Sequence, residues 1–104
     1  METYEVHFTN KAEQDFMEIL LYISETLKEP VIAARLYDTL KRHVQSLDHM
    51  PLRYAVVEEE PYRTYGVRKI PVENYTAFYI VEEEHKKVHV LRILYNRREW
   101  QNLL

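Results

Sequence analysis

The chain is 104 residues long with a formal charge of −3, 46% apolar and 30% charged, a balance that suits one compact domain over 1–104 with a single modest core. It has no cysteine, which excludes a disulfide framework, a thiolate metal site and a cysteine nucleophile together. Its single glycine excludes a glycine-rich phosphate cradle.

No apolar run approaches a membrane span, and METYEVHF lacks the basic start and apolar core of a signal peptide, so a cytoplasmic protein is expected. The charge is unevenly spread. From His85 to Leu104 there are five cations (Lys86, Lys87, Arg92, Arg97, Arg98) against Glu99 alone. Such a patch suits an anionic partner, either nucleic acid or an acidic protein segment, although it also suits a merely solvated basic end.

Glu2 to Thr9 alternates, with Tyr4, Val6 and Phe8 on one side, and predicts a half-buried first strand. Asn10 with Glu13 has capping-box spacing. The stripe Ala12, Phe16, Ile19, Leu20, Ile23, Leu27 predicts a helix to about Lys28. Pro30 closes it and opens a second helix with the stripe Ala33, Tyr37, Leu40, Val44, Leu47. The minimal linker folds the two back as an antiparallel hairpin.

Pro51 to Tyr62 reads as an irregular connection with a short extended piece at Tyr54 to Val57. Tyr65 to Val72 predicts a strand, where Gly66 would mark a bulge or close backbone approach and Pro71 an edge position or strand end. Asn74 to Val81 is a second strand rich in aromatic and β-branched residues, and a four- or five-residue turn follows. Val88 to Tyr95 is apolar on both faces, as an inner strand is, except that Arg92 shares the face of Val90 and Leu94. Arg97 to Leu103 predicts a short helical tail. The expected fold is α+β, in the order β-α-α-β-β-β: a helical hairpin on one face of a mostly antiparallel four-stranded sheet, with the other face open apart from the tail.

No metal site or cofactor is expected. His85 and His89 have ligand-like spacing only on a helix, and they fall in a hairpin and strand. What remains is a cationic and aromatic group: Arg63, Tyr65, Arg68, Lys69, Arg92, Tyr95, Arg97 and Arg98. Arginine forks suit phosphate or carboxylate. Cutting RNA without a metal needs a base, an acid and cations for the developing charge, and only His89, Tyr95, Lys69 and Glu99 are at hand for the first two. The ordinary reading makes the tyrosines core aromatics and pairs Arg92 with a Glu on a neighbouring strand.

The element order, with GVRKI, NYTAFYIV and the closing VHVLRILYNRREWQNLL, resembles the RelE/ParE superfamily of toxins from bacterial type II toxin–antitoxin modules, and so does the helix start with Ala12, Asp15 and Ile19. The likeness covers nearly the whole chain. It implies a growth-inhibiting toxin, of the kind linked to plasmid stabilization, silenced by a small cognate antitoxin. ParE-like members poison DNA gyrase without being enzymes; RelE-like members are ribosome-dependent mRNA endoribonucleases (mRNA interferases). By position, Lys69 and Arg98 match ribonuclease residues, with His89 and Tyr95 as possible helpers. Pro71 stands where a second lysine is expected, Thr76 where an arginine is, and the chain stops at Leu104, about where a catalytic tyrosine is expected. The resemblance therefore favours a ParE-like gyrase inhibitor, with Arg68, Arg92, Arg97, Arg98 and Trp100 contacting target or antitoxin. An mRNA endoribonuclease and a non-toxic interaction module of the same fold are the alternatives.

Overall fold

The computed structural model describes residues 2–96 and 98–104. Its regular elements are β1 (Glu5–Phe8), α1 (Asn10–Leu21), α2 (Pro30–Gln45), β2 (Arg68–Val72), β3 (Tyr75–Glu82) and β4 (Lys87–Tyr95), the expected order of an α+β fold. The strands lie in the order β1-β4-β3-β2. β1 runs parallel to β4 and the other pairs are antiparallel. β4 is therefore an inner strand, as its two apolar faces require. β2 is an edge strand, which is why it tolerates Pro71: a missing amide hydrogen costs no ladder bond there. Among the described residues no helix is long and apolar enough to cross a membrane.

The hairpin forms as its stripes predict, with local differences. The cap of α1 is Thr9 rather than Asn10: its hydroxyl accepts from the Ala12 amide at 3.1 Å and donates to the Leu91 carbonyl at 3.0 Å. One side chain thus satisfies the helix start and pins it to β4. Past Leu21 the helix widens into a π turn, Tyr22–Thr26, and Lys28 at φ 57° ends it in the left-handed conformation that commonly terminates helices. Leu27 is half exposed, outside the stripe predicted for it. In α2 Leu36 is buried in place of Tyr37, which lies 40% exposed. Its ring instead packs on Phe16 at 5.3 Å. Pro30 occupies the first turn of α2, where its lack of an amide hydrogen costs nothing. Leu40, Val44 and Leu47 are fully buried against Ile70, Ala77, Tyr79, Val88 and Val90 in the main core.

One correction matters for function. Arg92 does not share the face of Val90. Phe78 pairs with Arg92 but Tyr79 pairs with Val90, so Leu91 is an extra residue on β4, a bulge. Val88, Val90 and Ile93 belong to the hairpin-side core, whereas Leu94 packs with Phe78 on the other side. Inserting one residue flips the alternation, since the side-chain period is two. It moves Arg92 out of the apolar core it would otherwise enter.

Gly66 has φ 77° and an added Cβ would meet nothing within 4 Å. It serves a left-handed turn before β2 rather than a bulge or close approach. The strand itself starts only at Arg68, and Val56 bridges to Arg68 outside it. The four residues 83–86 join β3 to β4, the expected loop length. The tail makes a single 3-10 turn, Trp100–Asn102. The open face of the sheet is better covered than expected. Val57, Val67, Phe78 and Leu94 form a second cluster there, sealed by Tyr62, Trp100, Leu103 and Leu104.

Candidate functional site

Two grooves flank β4. The first lies between the hairpin and the end of the sheet, with a cavity volume near 850 Å³, walled by Ile19, Ile23, Ile32, Tyr75 and Tyr95 and lined also by Glu18, Glu29 and Arg98. At the sheet end of this groove Tyr75 and Tyr95 pair across β3 and β4 and stand edge to face at 5.5 Å. Burial, with help from Tyr95, pushes the Tyr75 phenol up from its usual range. Tyr22, Leu27 and Ile32 beside it are 55%, 50% and 44% exposed, a continuous apolar margin of the kind that marks binding surfaces.

The second groove, near 830 Å³, lies on the other side of the sheet between Tyr62, Tyr65, Ile80, Leu91 and the terminal Leu103 and Leu104. Arg92 is at its base. Its Nε and Nη2 bind Asp15 Oδ2 and Oδ1 at 2.6 and 2.9 Å, and Nη1 donates to the Leu103 carbonyl. Asp15 Oδ2 also accepts from the Ile93 amide at 3.0 Å. β1 pairs with β4 only as far as Val90, and the carboxylate of α1 caps the strand edge beyond it. The pairing strengthens Arg92's hold on its proton, chiefly through the hydrogen bond to Asp15. Both side chains are largely buried, so removing one partner would cost about 3–5 kcal/mol. The ion pair anticipated for Arg92 is real, but its acid comes from a helix and not from a neighbouring strand.

The structure scatters the other anticipated residues. Arg68 ties β2 to the connection through the carbonyls of Leu52, at 3.2 Å, and Tyr54. Trp100 stacks on Phe78 at 4.9 Å and tilts against Tyr62 at 5.4 Å, so its ring is a structural lid. His89 bonds Glu82 at 3.0 Å and stands beside His7 on β1. Six steps along the strand separate it from Tyr95, about 20 Å. Lys69 is exposed on β2 and pairs in register with Phe78, on the tail side of the sheet, whereas Arg98 lines the hairpin groove. Arg97 lies outside the described residues. Among the described residues of the anticipated set, Tyr95 and Arg98 share the hairpin groove and Tyr65 and Arg92 share the other.

Sequence reasoning missed Asp15 as a site residue, and it missed Tyr22 and Ile32 as groove walls. The signal for Asp15 was an acid beside the buried stripe of α1, the counterpart of the unexplained cation on β4.

The family model for the ParE toxin of the type II toxin–antitoxin system parDE matches residues 6–100. No sequence match to a curated protein is found. Among solved structures, the chromosomal ParDE system from P. aeruginosa aligns at 24% identity and TM-score 0.72, over 89% of this chain and 96% of that one. The RelBE2 toxin–antitoxin complex from Mycobacterium tuberculosis aligns at 24% and 0.64, over 91% and 93%. The archaeal RelE–RelB complex from Pyrococcus horikoshii OT3 aligns at 16% and 0.59, over 92% and 98%. At these identities the structural likeness speaks for the fold, and the family match spans nearly the whole chain. The chain belongs to the ParE toxin family of type II toxin–antitoxin systems, within the RelE/ParE superfamily.

Proposed function

We propose that the protein arrests growth by binding DNA gyrase, without chemistry of its own, and that a small cognate antitoxin from the neighbouring gene silences it. The observation that carries this reading is the dispersal of the ribonuclease candidates. An acid and a base must reach one substrate within hydrogen-bond distance, or through one water. Here His89 is held by Glu82 at the far end of β4, Lys69 lies on the edge strand β2, and Arg98 lines the hairpin groove. A protein–protein contact needs no such convergence. It needs an exposed apolar margin and a cation, and the hairpin groove supplies both.

The competing reading, message cleavage on the ribosome, draws on the RelE-like fold and on the Lys69 and Arg98 side chains, which have no acid partner among the described residues. Induction of the toxin alone separates the two. Gyrase cleavage complexes with intact message ends, and growth arrest relieved by Arg98→Glu but kept in Lys69→Ala, are expected. Codon-positioned message ends that vanish in Lys69→Ala would replace the gyrase reading with the ribonuclease one, and normal growth would leave only an interaction module. The antitoxin is expected to carry an acidic, partly disordered segment that orders on the toxin surface. Its binding should weaken with salt; a complex indifferent to both salt and charge reversal at Arg97 and Arg98 would refute that contact.

A further inference from the structure

Asp15 belongs to the wall of the hairpin groove and Arg92 to the base of the groove on the opposite side. One ion pair is thus shared by two surfaces. The tail beyond Arg97 rests on the second surface through few anchors: Trp100 on Phe78 and Tyr62, the Tyr62 hydroxyl donating to the Gln101 carbonyl, and Arg92 donating to the Leu103 carbonyl. At the root of the tail the Arg98 amide donates to the Tyr95 carbonyl at 3.0 Å, and the remaining contacts of the tail with the sheet are apolar.

We propose that residues 99–104 form a releasable strap over the sheet, that Arg92 is its catch, and that Asp15 holds the catch closed. The physical reason is directional. Three guanidinium donors are fixed at once, two on Asp15 and one on Leu103. The Asp15 fork orients the third donor at the tail, so little entropy is lost in making that bond. If Asp15 is neutralised, or taken by a partner's cation entering the hairpin groove, Arg92 becomes a largely buried charge without a counter-ion. It must then reach water. Its exit is through the groove that Leu103 and Leu104 cover, so solvating Arg92 lifts the strap. An event in one groove therefore opens the other and frees the segment that carries Trp100. The device needs no particular target and stands whether or not gyrase is the one.

The full-length chain reports on it directly, because Trp100 is its only tryptophan. In Asp15→Asn, acrylamide quenching of Trp100 should rise and its emission should shift red, while far-UV circular dichroism stays native. Loss of one charge-assisted bond is expected to raise the open fraction about tenfold or more. A native-like Asp15→Asn protein with unchanged quenching overturns the proposal. Should that variant fail to fold, the reciprocal experiment decides, since coupling runs both ways. A chain ending at Asn102 loses the Leu103 carbonyl, and the Ile93 amide, held by Asp15, should exchange faster than in the full chain. The Ala77 amide inside the sheet reads global opening and serves as the reference. An Ile93-to-Ala77 exchange ratio unchanged by the truncation overturns the proposal equally.

Discussion

Replacing Trp100 by alanine tests whether this side chain builds the tail surface or only touches partners. The ring is half-buried, and half of a large side chain's burial contributes about 1 kcal/mol. Its contacts with Phe78 at 4.9 Å and Tyr62 at 5.4 Å add about 0.5–1.5 kcal/mol each. Trp100→Ala should therefore lose about 2–4 kcal/mol, a large share of the roughly 5–15 kcal/mol that holds such a domain together. Urea unfolding must be followed by far-UV circular dichroism, because the variant has no tryptophan left. With a slope of about 1–3 kcal/mol per molar, the midpoint should fall by roughly 1–2 M. Trp100→Phe keeps a ring against Phe78 and should recover more than half of the loss. A midpoint that moves by less than about 0.3 M, with growth arrest nonetheless abolished, would refute the packing argument and make Trp100 purely a contact residue.

The buried Tyr79 hydroxyl donates to the Pro51 carbonyl at 2.7 Å, and burial pushes its phenol up to about 12; Tyr79→Phe strands that carbonyl and should cost about 1–3 kcal/mol in urea unfolding, whereas a neutral result would mean that water reaches Pro51. Hydrogen bonds from His89 first and His85 second hold the Glu82 carboxyl below its ordinary 4.5. The lowered folded value means that this stabilisation is whole above about 4.5 and drains away as pH falls through the depressed value. The melting-temperature gap between wild type and Glu82→Gln should therefore close as pH falls below about 4.5; a gap that widens on acidification would reverse the sign of the argument.

Much of the architecture was legible because periodicity is a local property. Alternation in Tyr4, Val6 and Phe8, the helical stripes, and the two-faced apolar run of β4 each report which sides are buried. What escaped is decided by single residues or by distant ones. A bulge of one residue at Leu91 has no composition signature when no glycine marks it, yet it reverses the face of Arg92. Thr9 outcompeted Asn10 as the cap because its hydroxyl also reaches the Leu91 carbonyl, a partner 82 residues away. Leu36 rather than Tyr37 faces the core because it stands three residues after Ala33 and four before Leu40, on the one face of α2 that is buried, whereas Tyr37 lies a position further round. Of the candidate site, the tail arginines and Arg92 stood out as cations in apolar company. Their partners did not, since Asp15 meets Arg92 only through the parallel pairing of the first strand with the last.

That parallel pairing also orders events in time. Residues 5–8 find their strand partner in residues 87–90, and β4 separates β1 from the β3–β2 pair. At about 5–20 residues per second, a nascent chain waits several seconds with its first strand unpaired and its hairpin covering nothing. Tyr95, the Asp15–Arg92 pair and the tail-side groove all depend on β4. The surfaces through which this toxin could act are thus the last to be assembled, and a growing or prematurely ended chain carries neither groove.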